Sequence, residues 1–373
     1  MSDDGEQADA EAREWLAATN PQAFVGSRHH VVPRFLLERW ANDRGQVRVF
    51  RRIEQRLDTC NIRDLAIKDF YTVIDTDGRK NSAMESLLGV IESATKPIVD
   101  DLLSPWRTPR MTMEDIARLA QFASFQATRT PRRRREIELE VDWYAKTMAQ
   151  GVIADEELQR LTIAPHQNEL VELTSSSADK ILPFFACRPI ALVRLDAPRL
   201  LICDEPVIVN APVGAFHLDD CHLTDAEVKK RYENWLRKTK KKKRGRHPPP
   251  GRKVHFSSTV PTGFGTADEL VLTLSPTAAL LWGPLMDTPP VRDIERLRLT
   301  GHEAERFADM ANTAMSAQAL DWVAGRVTDK TFDTRHFPPT GPLMRVCDGT
   351  NAASLAVNTP PDRFRPRRLT VPG

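Results

Sequence analysis

Two adjacent histidines precede a proline and an apolar segment near the start of the chain. His29 and His30 are followed by Pro33 and by apolar residues at helical spacing up to Trp40. Proline suits the first turn of a helix because its missing N–H would have no partner there, so the pattern predicts a helix from Pro33 to Ala41. Imidazole titrates near neutral pH and binds metals, which makes these histidines the first candidates for chemistry.

Two glutamates lie on a long amphipathic helix that the apolar spacing predicts from Asn81 to Leu103. Glu85 and Glu92 are seven residues apart, so their side chains project within about 20° of each other at the edge of the apolar stripe. The spacing predicts that both carboxylates face the same cleft.

Three further polar residues follow apolar stretches. Gln126 lies on the apolar side of a helix predicted from Thr112 to Thr128, and Arg129 comes directly after it, before a proline. Asp204 follows an apolar run that predicts a strand end, where ligands and reacting groups are often held.

An imidazole with several carboxylates is a set suited to a divalent cation, here Mg²⁺ or Mn²⁺. We predict His30, Glu85, Glu92 and Asp204 as its ligands. Such a cation lowers the pKa of bound water, and Gln126 and Arg129 would hold a phosphate or carbonyl oxygen. The catalytic candidates are therefore His30, Glu85, Glu92, Gln126, Arg129 and Asp204.

Each of these residues also has a structural interpretation. His30 would anchor the start of a helix, Arg129 would pair with one of the glutamates, and Asp204 would bond the backbone of a turn. Only convergence of several of these side chains in one cleft favours chemistry over structure.

The helices and strands that the sequence predicts around these residues indicate an α+β fold. The N-terminal half is helix-rich with a short strand pair, and a small, mostly antiparallel sheet and a C-terminal helix follow. We expect strands at 46–50, 188–195, 200–203, 206–209, 269–274 and 278–282, and a last helix from His302 to Val323. The expected organisation is a mobile acidic arm at 1–25, one domain at 26–325 that is mainly helical to 180, and a Pro-rich tail at 326–373.

Composition excludes several classes of protein. With 41% hydrophobic and 28% charged residues the chain is typical of globular proteins, and it contains no apolar run long enough to span a membrane. The acidic N-terminus lacks a signal-peptide pattern, so we expect a cytoplasmic location. The five cysteines are scattered and form no CxxC pair, so the sequence supports neither a zinc ribbon nor a disulfide framework.

The positive charge is concentrated in one segment. Residues 237–253 contain ten Lys or Arg and no acid, and they include three consecutive prolines, so we expect a solvated insertion. Two interpretations remain open: a tolerated insertion, or contact with nucleic-acid phosphates through Lys238–Arg246, with Arg132–Arg135 as a second basic run.

Several separated pieces of the chain resemble a bacterial and archaeal family of unknown function that is marked by an HYVP motif, commonly followed by QFYL. The resemblance spans roughly residues 28–325 and rests on 28–37, 69–71, the Glu85–Glu92 helix, 126–131, 203–207 and 274–276. The motif histidine falls on His30. The sequence departs from the motif at Val31, Arg34 and Cys203, which replace a tyrosine, a glutamine and a serine. The resemblance implies a shared fold and shared site positions, but it supplies no reaction.

Two functions follow from these residues. The first is a metal-assisted hydrolase of phosphodiester bonds, resembling a nuclease, and the second is a non-catalytic binding or sensor module with a structural polar core. No GxSxG, HExxH, Walker or GxGxxG motif is present, so these common enzyme classes find no support.

Overall fold

The computed structural model describes residues 29–74, 80–106, 110–149, 152–210, 230, 255–260, 263–290, 293–347 and 352–355. The chain forms two compact units. The first comprises Met1–Pro131, His166–Asn210 and Phe264–Pro339, and the second comprises Arg132–Pro165, Ala211–Gly263 and Thr340–Gly373. The expected acidic arm at 1–25 and the basic insertion at 237–253 lie outside the described residues.

The described residues form helices and strands in an α+β arrangement, as predicted. The helices are α1 Arg34–Leu37, α2 Ala83–Leu103, α3 Met113–Thr128, α4 Pro131–Ala149, α5 Asp155–Arg160, α6 Gln167–Ala186, α7 Gly301–Gln318 and α8 Lys330–Thr334. The strands are β1 His29–His30, β2 Gln46–Arg51, β3 Arg56–Asn61, β4 Ile67–Lys68, β5 Val73–Ile74, β6 Lys80–Asn81, β7 Ile190–Leu195, β8 Ile202–Cys203, β9 Val207–Asn210, β10 His255–Ser258, β11 Glu269–Ser275, β12 Ala278–Trp282, β13 Glu295–Leu299, β14 Trp322–Gly325, β15 Met344–Cys347 and β16 Ala352–Leu355. None of the described helices is long and apolar enough to cross a membrane.

The histidine pair forms the short strand β1, which pairs antiparallel with β4. Helix α1 follows Pro33 but ends at Leu37 instead of Ala41. The chain then tightens into a turn because Arg39 and Trp40 donate their N–H groups to carbonyls three residues back. Trp40 is 1% exposed, and its indole N–H donates to the Leu200 carbonyl at 2.8 Å, which anchors this N-terminal segment.

Helices α2 and α3 closely match the two predicted helices. Helix α2 begins after Asn81 because Asn81 belongs to β6, where it pairs with Val73. Helix α3 has Thr112 as its N-cap, in a reciprocal capping box with Asp115. Helix α2 buries a stripe of Met84, Leu88, Ile91, Thr95, Ile98, Val99 and Leu102. Helices α3 and α6 pack against each other.

The central sheet of the first unit has the strand order β13–β7–β12–β11–β9. All its neighbours are antiparallel except β13 and β7, which are parallel. In β11, Leu270, Leu272 and Leu274 face one hydrophobic cluster, and Val271 faces the other. The sheet is therefore covered on both faces, which explains why its strands are nearly continuously apolar.

A second sheet of this unit has the order β3–β2–β14–β8. The sequence predicted that the last long helix continues to Val323, and this was wrong. Helix α7 ends at Gln318, and Trp322–Gly325 forms the strand β14. The N–H groups of Leu320 and Asp321 donate to the Asp204 carboxylate at 3.2 and 2.6 Å, which turns the chain into β14.

The second unit contains α5, α4 from Arg132 onward, and a three-stranded antiparallel sheet in the order β10–β15–β16. Trp143 of α4 is 3% exposed and contacts Phe256 of β10 edge to face, with ring centroids 5.5 Å apart. Within the region expected as a tail, the described residues contain α8, β15 and β16.

Candidate functional site

Four of the six predicted site residues meet between helices α2 and α3 of the first unit. Glu85 and Glu92 lie on α2, Gln126 lies near the end of α3, and Arg129 directly follows it. The backbone N–H of Arg129 donates to the Phe125 carbonyl at 3.0 Å, so the end of the helix fixes the position of the arginine. We refer to these four residues as the glutamate–arginine cluster.

Arg129 is the centre of this cluster and is 2% exposed. Its Nη2 donates to Glu92 Oε1 at 2.7 Å. The Gln126 amide oxygen, turned toward the guanidinium, accepts from Arg129 Nε at 2.9 Å and also from Nη2. A buried guanidinium needs such partners because an unpaired charge away from water is strongly destabilising. The structural interpretation, in which Arg129 pairs with a glutamate, is therefore observed for Glu92.

Glu85 differs from Glu92 in its electrostatics. Burial raises the pKa of the Glu85 carboxyl from 4.5 to about 7; Arg129 opposes this shift, and the Glu92 carboxylate adds to it. Glu85 is only partly buried, so solvent or a ligand can reach it. A carboxyl group with a pKa near neutrality can both accept and release a proton at physiological pH.

Both Glu85 and Arg129 have unused hydrogen-bonding capacity. Among the described residues, no protein group hydrogen-bonds the Glu85 carboxyl, and no protein oxygen accepts a hydrogen bond from the Arg129 Nη1 nitrogen. The arginine therefore retains two N–H donors beside a carboxyl group that can exchange a proton. This arrangement can bind an anionic oxygen and activate a water molecule next to it.

His29 contributes to this region, although sequence reasoning favoured its neighbour His30. His29 is 1% exposed, and its Nδ1 accepts the N–H of Tyr71 at 3.1 Å. The Tyr71 hydroxyl donates to the Arg129 carbonyl at 3.4 Å. Tyr71 thus joins the histidine segment to the backbone of the arginine. In the sequence, Tyr71 is indicated only by its position directly after Asp69 and Phe70, in one of the segments that resemble the family.

The other two predicted site residues, His30 and Asp204, are not part of the glutamate–arginine cluster. His30 is partly buried in β1, next to β4. Asp204 is fully buried, and its two carboxylate oxygens accept the backbone N–H groups of Leu320 and Asp321. Asp204 therefore stabilises the turn before β14.

The predicted four-residue metal set is not found as a set. Over the part of the chain that the structure describes, which includes all four predicted ligands, no group of three or more His, Cys, Asp or Glu side chains is arranged to hold a metal ion. The carboxylates that remain together are Glu85 and Glu92, as their electrostatic coupling indicates.

The basic run on α4, in the second unit, is partly compensated within its own helix, where its four arginines share Glu136 and Glu138. Each of Arg132–Arg135 lies within 4 Å of Glu136 or Glu138, at distances from 2.9 to 3.8 Å. These pairs reduce the charge available for phosphate contacts. The segment Lys238–Arg246 lies outside the described residues, so its contact with nucleic acid remains a prediction.

Comparison with known proteins places the chain beside a family whose function is not known. The model of a family described as "Protein of unknown function (DUF4238)" matches residues 28–215, about half of the chain, and this range contains all six predicted site residues. No curated protein matches the sequence, and no solved structure matches it.

Proposed function

The chain belongs to the DUF4238 family of proteins of unknown function, and we propose that it hydrolyses phosphodiester bonds at the glutamate–arginine cluster. The observation that carries this proposal is a half-buried carboxyl, Glu85, that lies close enough to the buried guanidinium of Arg129 to interact with it electrostatically, while Glu92 forms the ion pair with Arg129. A carboxyl group whose pKa is near 7 and a fixed cation beside it are the two components that such a reaction requires.

Glu85 acts as the general base. Its carboxylate takes a proton from a water molecule, the water oxygen forms a bond to phosphorus, and the bond from phosphorus to the leaving oxygen breaks. The leaving oxygen then takes a proton from solvent. A base with a pKa near 7 removes this proton more effectively than an ordinary glutamate, because its conjugate acid holds the proton more strongly.

Arg129 binds the phosphodiester. The Nη1 donors contact a non-bridging oxygen, where negative charge grows as the water attacks. Glu92 and Gln126 hold the guanidinium plane, so it does not have to reorganise during the reaction. Glu92 is thus a positioning residue for Arg129.

Glu85 and Glu92 would hold the proposed cation, Mg²⁺ or Mn²⁺. Mg²⁺ commonly binds through one or two carboxylates plus substrate phosphates, so two protein ligands are sufficient. When bound, the cation supplies additional positive charge to the phosphate. The basic segment at 237–253 supports a nucleic-acid substrate, because ten cations without an acid attract a polyanionic backbone.

The proposal is tested by hydrolysis of bis(para-nitrophenyl) phosphate by the intact chain, with Mg²⁺, with Mn²⁺ and with a chelator. Glu85→Gln keeps the shape of the side chain but removes the base, so we expect kcat to fall about 10²–10⁴-fold. Glu54→Gln is the matched control, because Glu54 is an exposed glutamate of the same unit, between β2 and β3, and it should retain wild-type activity. Equal activity of wild type and Glu85→Gln would contradict the proposal, and absence of hydrolysis under all three conditions would favour the non-catalytic alternative.

A further inference from the structure

A cleft of about 400 Å³ lies in the first unit and shares no residue with the glutamate–arginine cluster. It is lined by Pro198, Arg199, Leu200, Pro276, Arg326, Thr328, Asp329 and Lys330. A volume of this order accommodates a small molecule of metabolite size. We refer to it as the basic cleft.

One wall of the basic cleft is held rigidly by backbone hydrogen bonds. The N–H groups of Arg199 and Leu200 both donate to the Pro276 carbonyl, at 2.8 and 3.0 Å. Asn312 of α7 is buried, and its amide accepts the Leu201 N–H at 2.9 Å and donates to the Arg199 carbonyl at 2.8 Å. Leu200 and Pro276 are buried and thus form a rigid base for this wall, whose exposed apolar residue is Pro198.

The opposite wall is brought close by a glycine at the end of β14. A Cβ atom at Gly325 would come within 2.9 Å of the Phe332 ring and 3.1 Å of Leu201. Only glycine allows this close approach, which brings the following turn near the Arg199 segment. Arg326 and Lys330 belong to this turn and to the start of α8.

The charges of the cleft favour an anion. The Arg199 guanidinium forms ion pairs with the carboxylates of Asp196 and Glu305, at N–O distances of 3.4 and 3.3 Å. Arg326 and Lys330 are exposed, and no acid of the described residues pairs with either of them. The acidic side chain of the lining, Asp329, accepts the N–H and hydroxyl of Thr331 through its Oδ1. Asp329 keeps its negative charge, so Arg326, Asp329 and Lys330 together leave one net positive charge in the cleft.

We propose that the basic cleft binds a phosphorylated small molecule whose phosphate contacts Arg326 and Lys330. The non-phosphate part, a ring such as a base or sugar, packs on the exposed ring of Pro198. Arginine and lysine are the usual partners of phosphate, and neither cation must first break an ion pair in order to bind one.

Calorimetric titration of the intact chain with adenosine monophosphate tests this site, with adenosine and inorganic phosphate as separate probes. We expect saturable binding of the monophosphate, weaker binding of inorganic phosphate and no binding of adenosine. The double variant Arg326→Ala with Lys330→Ala should weaken monophosphate binding about tenfold or more, because two charged contacts are lost.

Arg44→Ala with Arg63→Ala is the control, since it removes the same charge from two exposed arginines elsewhere in the first unit. Glu85→Gln should bind the monophosphate like wild type, which separates this site from the proposed hydrolytic one. The inference is overturned if the monophosphate does not bind, if adenosine binds equally well, or if both double variants weaken binding to the same extent.

Discussion

Glu85 combines two opposing electrostatic effects. Burial favours its neutral form and is the largest cause of its raised pKa, while the positive charge of Arg129 favours its ionised form. Glu92 already compensates much of the Arg129 charge through its 2.7 Å ion pair, and its own negative charge repels an ionised Glu85. The result is a carboxyl group that titrates near pH 7.

This raised pKa predicts a pH-dependent effect of Glu85→Gln on stability. Because the pKa in the folded state is above the ordinary value, the folded state keeps a proton between about pH 4.5 and 7 that the unfolded state has released. Stability therefore falls as pH rises through this window, and the loss is complete above pH 7. Glutamine has no proton to lose, so the variant should be more stable than wild type at pH 8 by about 1–3 kcal/mol, after allowance for solvent screening.

Denaturant unfolding at pH 8 and pH 4 measures this difference, with Glu54→Gln, an exposed glutamate of the same unit, as the control. The stability of wild type and Glu85→Gln should converge at the acid end, where both side chains are neutral. A difference of the same size at both pH values would mean that Glu85 is an ordinary carboxylate.

At the scale of elements, Arg188 fixes the loops around the central sheet. It is fully buried after α6, and its guanidinium donates to the carbonyls of Phe184, Phe264, Ala267, Asp268 and Gly283 at 2.5–3.3 Å. Burial lowers the pKa of this guanidinium, which nevertheless remains protonated because its ordinary pKa is so high. One side chain thus satisfies carbonyls from three separate segments.

Arg188→Lys should be strongly destabilising although it keeps the charge. An ammonium group has three donors at one point and cannot reach carbonyls spread over a guanidinium plane, so at least two buried carbonyls lose their partners. Each loss costs about 1–3 kcal/mol, and we expect a total of about 3 kcal/mol or more by chemical denaturation. Arg63→Lys on the surface is the control, and a change below about 1 kcal/mol for Arg188→Lys would contradict this role.

The parts of the site that sequence could predict are those set by local spacing. Glu85 and Glu92 share one helix, and Gln126 and Arg129 share one helix end, so periodicity alone indicates their directions. The partners of Asp204 lie at Leu320 and Asp321, more than a hundred residues later. No local pattern contains such a contact, and an aspartate at a strand end therefore resembled a ligand.

The same difference between local spacing and distant contacts explains which elements of the fold the sequence predicts correctly. The apolar strands β11 and β12 were predicted almost to the residue, because burial on both faces leaves a continuous apolar run. The first two residues of strand β14, Trp322 and Val323, are predicted as the end of the preceding helix, because they continue an apolar pattern that tertiary contacts interrupt. Periodicity identifies the type of an element more reliably than its end.

At the scale of the whole molecule, the described first unit contains both the glutamate–arginine cluster and the basic cleft, and the family match covers the cluster completely. The basic segment at 237–253 lies outside the described residues, and its contact with nucleic acid stays a prediction. The proposed hydrolysis uses the four residues of the glutamate–arginine cluster, all of which belong to the first unit. The central claim is therefore that one carboxyl group, Glu85, drives the reaction.

The pH dependence of kcat/KM for phosphodiester hydrolysis tests this claim most directly. For the wild type assayed with a chelator, so that no divalent cation lowers the Glu85 pKa, we expect the rate to rise with pH and to level off above about pH 7, as Glu85 loses its proton in the free protein. Glu85→Gln should lose this rise of kcat/KM with pH, together with most of the rate. A Glu85→Gln variant that keeps both the wild-type rate and the wild-type limb near pH 7 would contradict the claim.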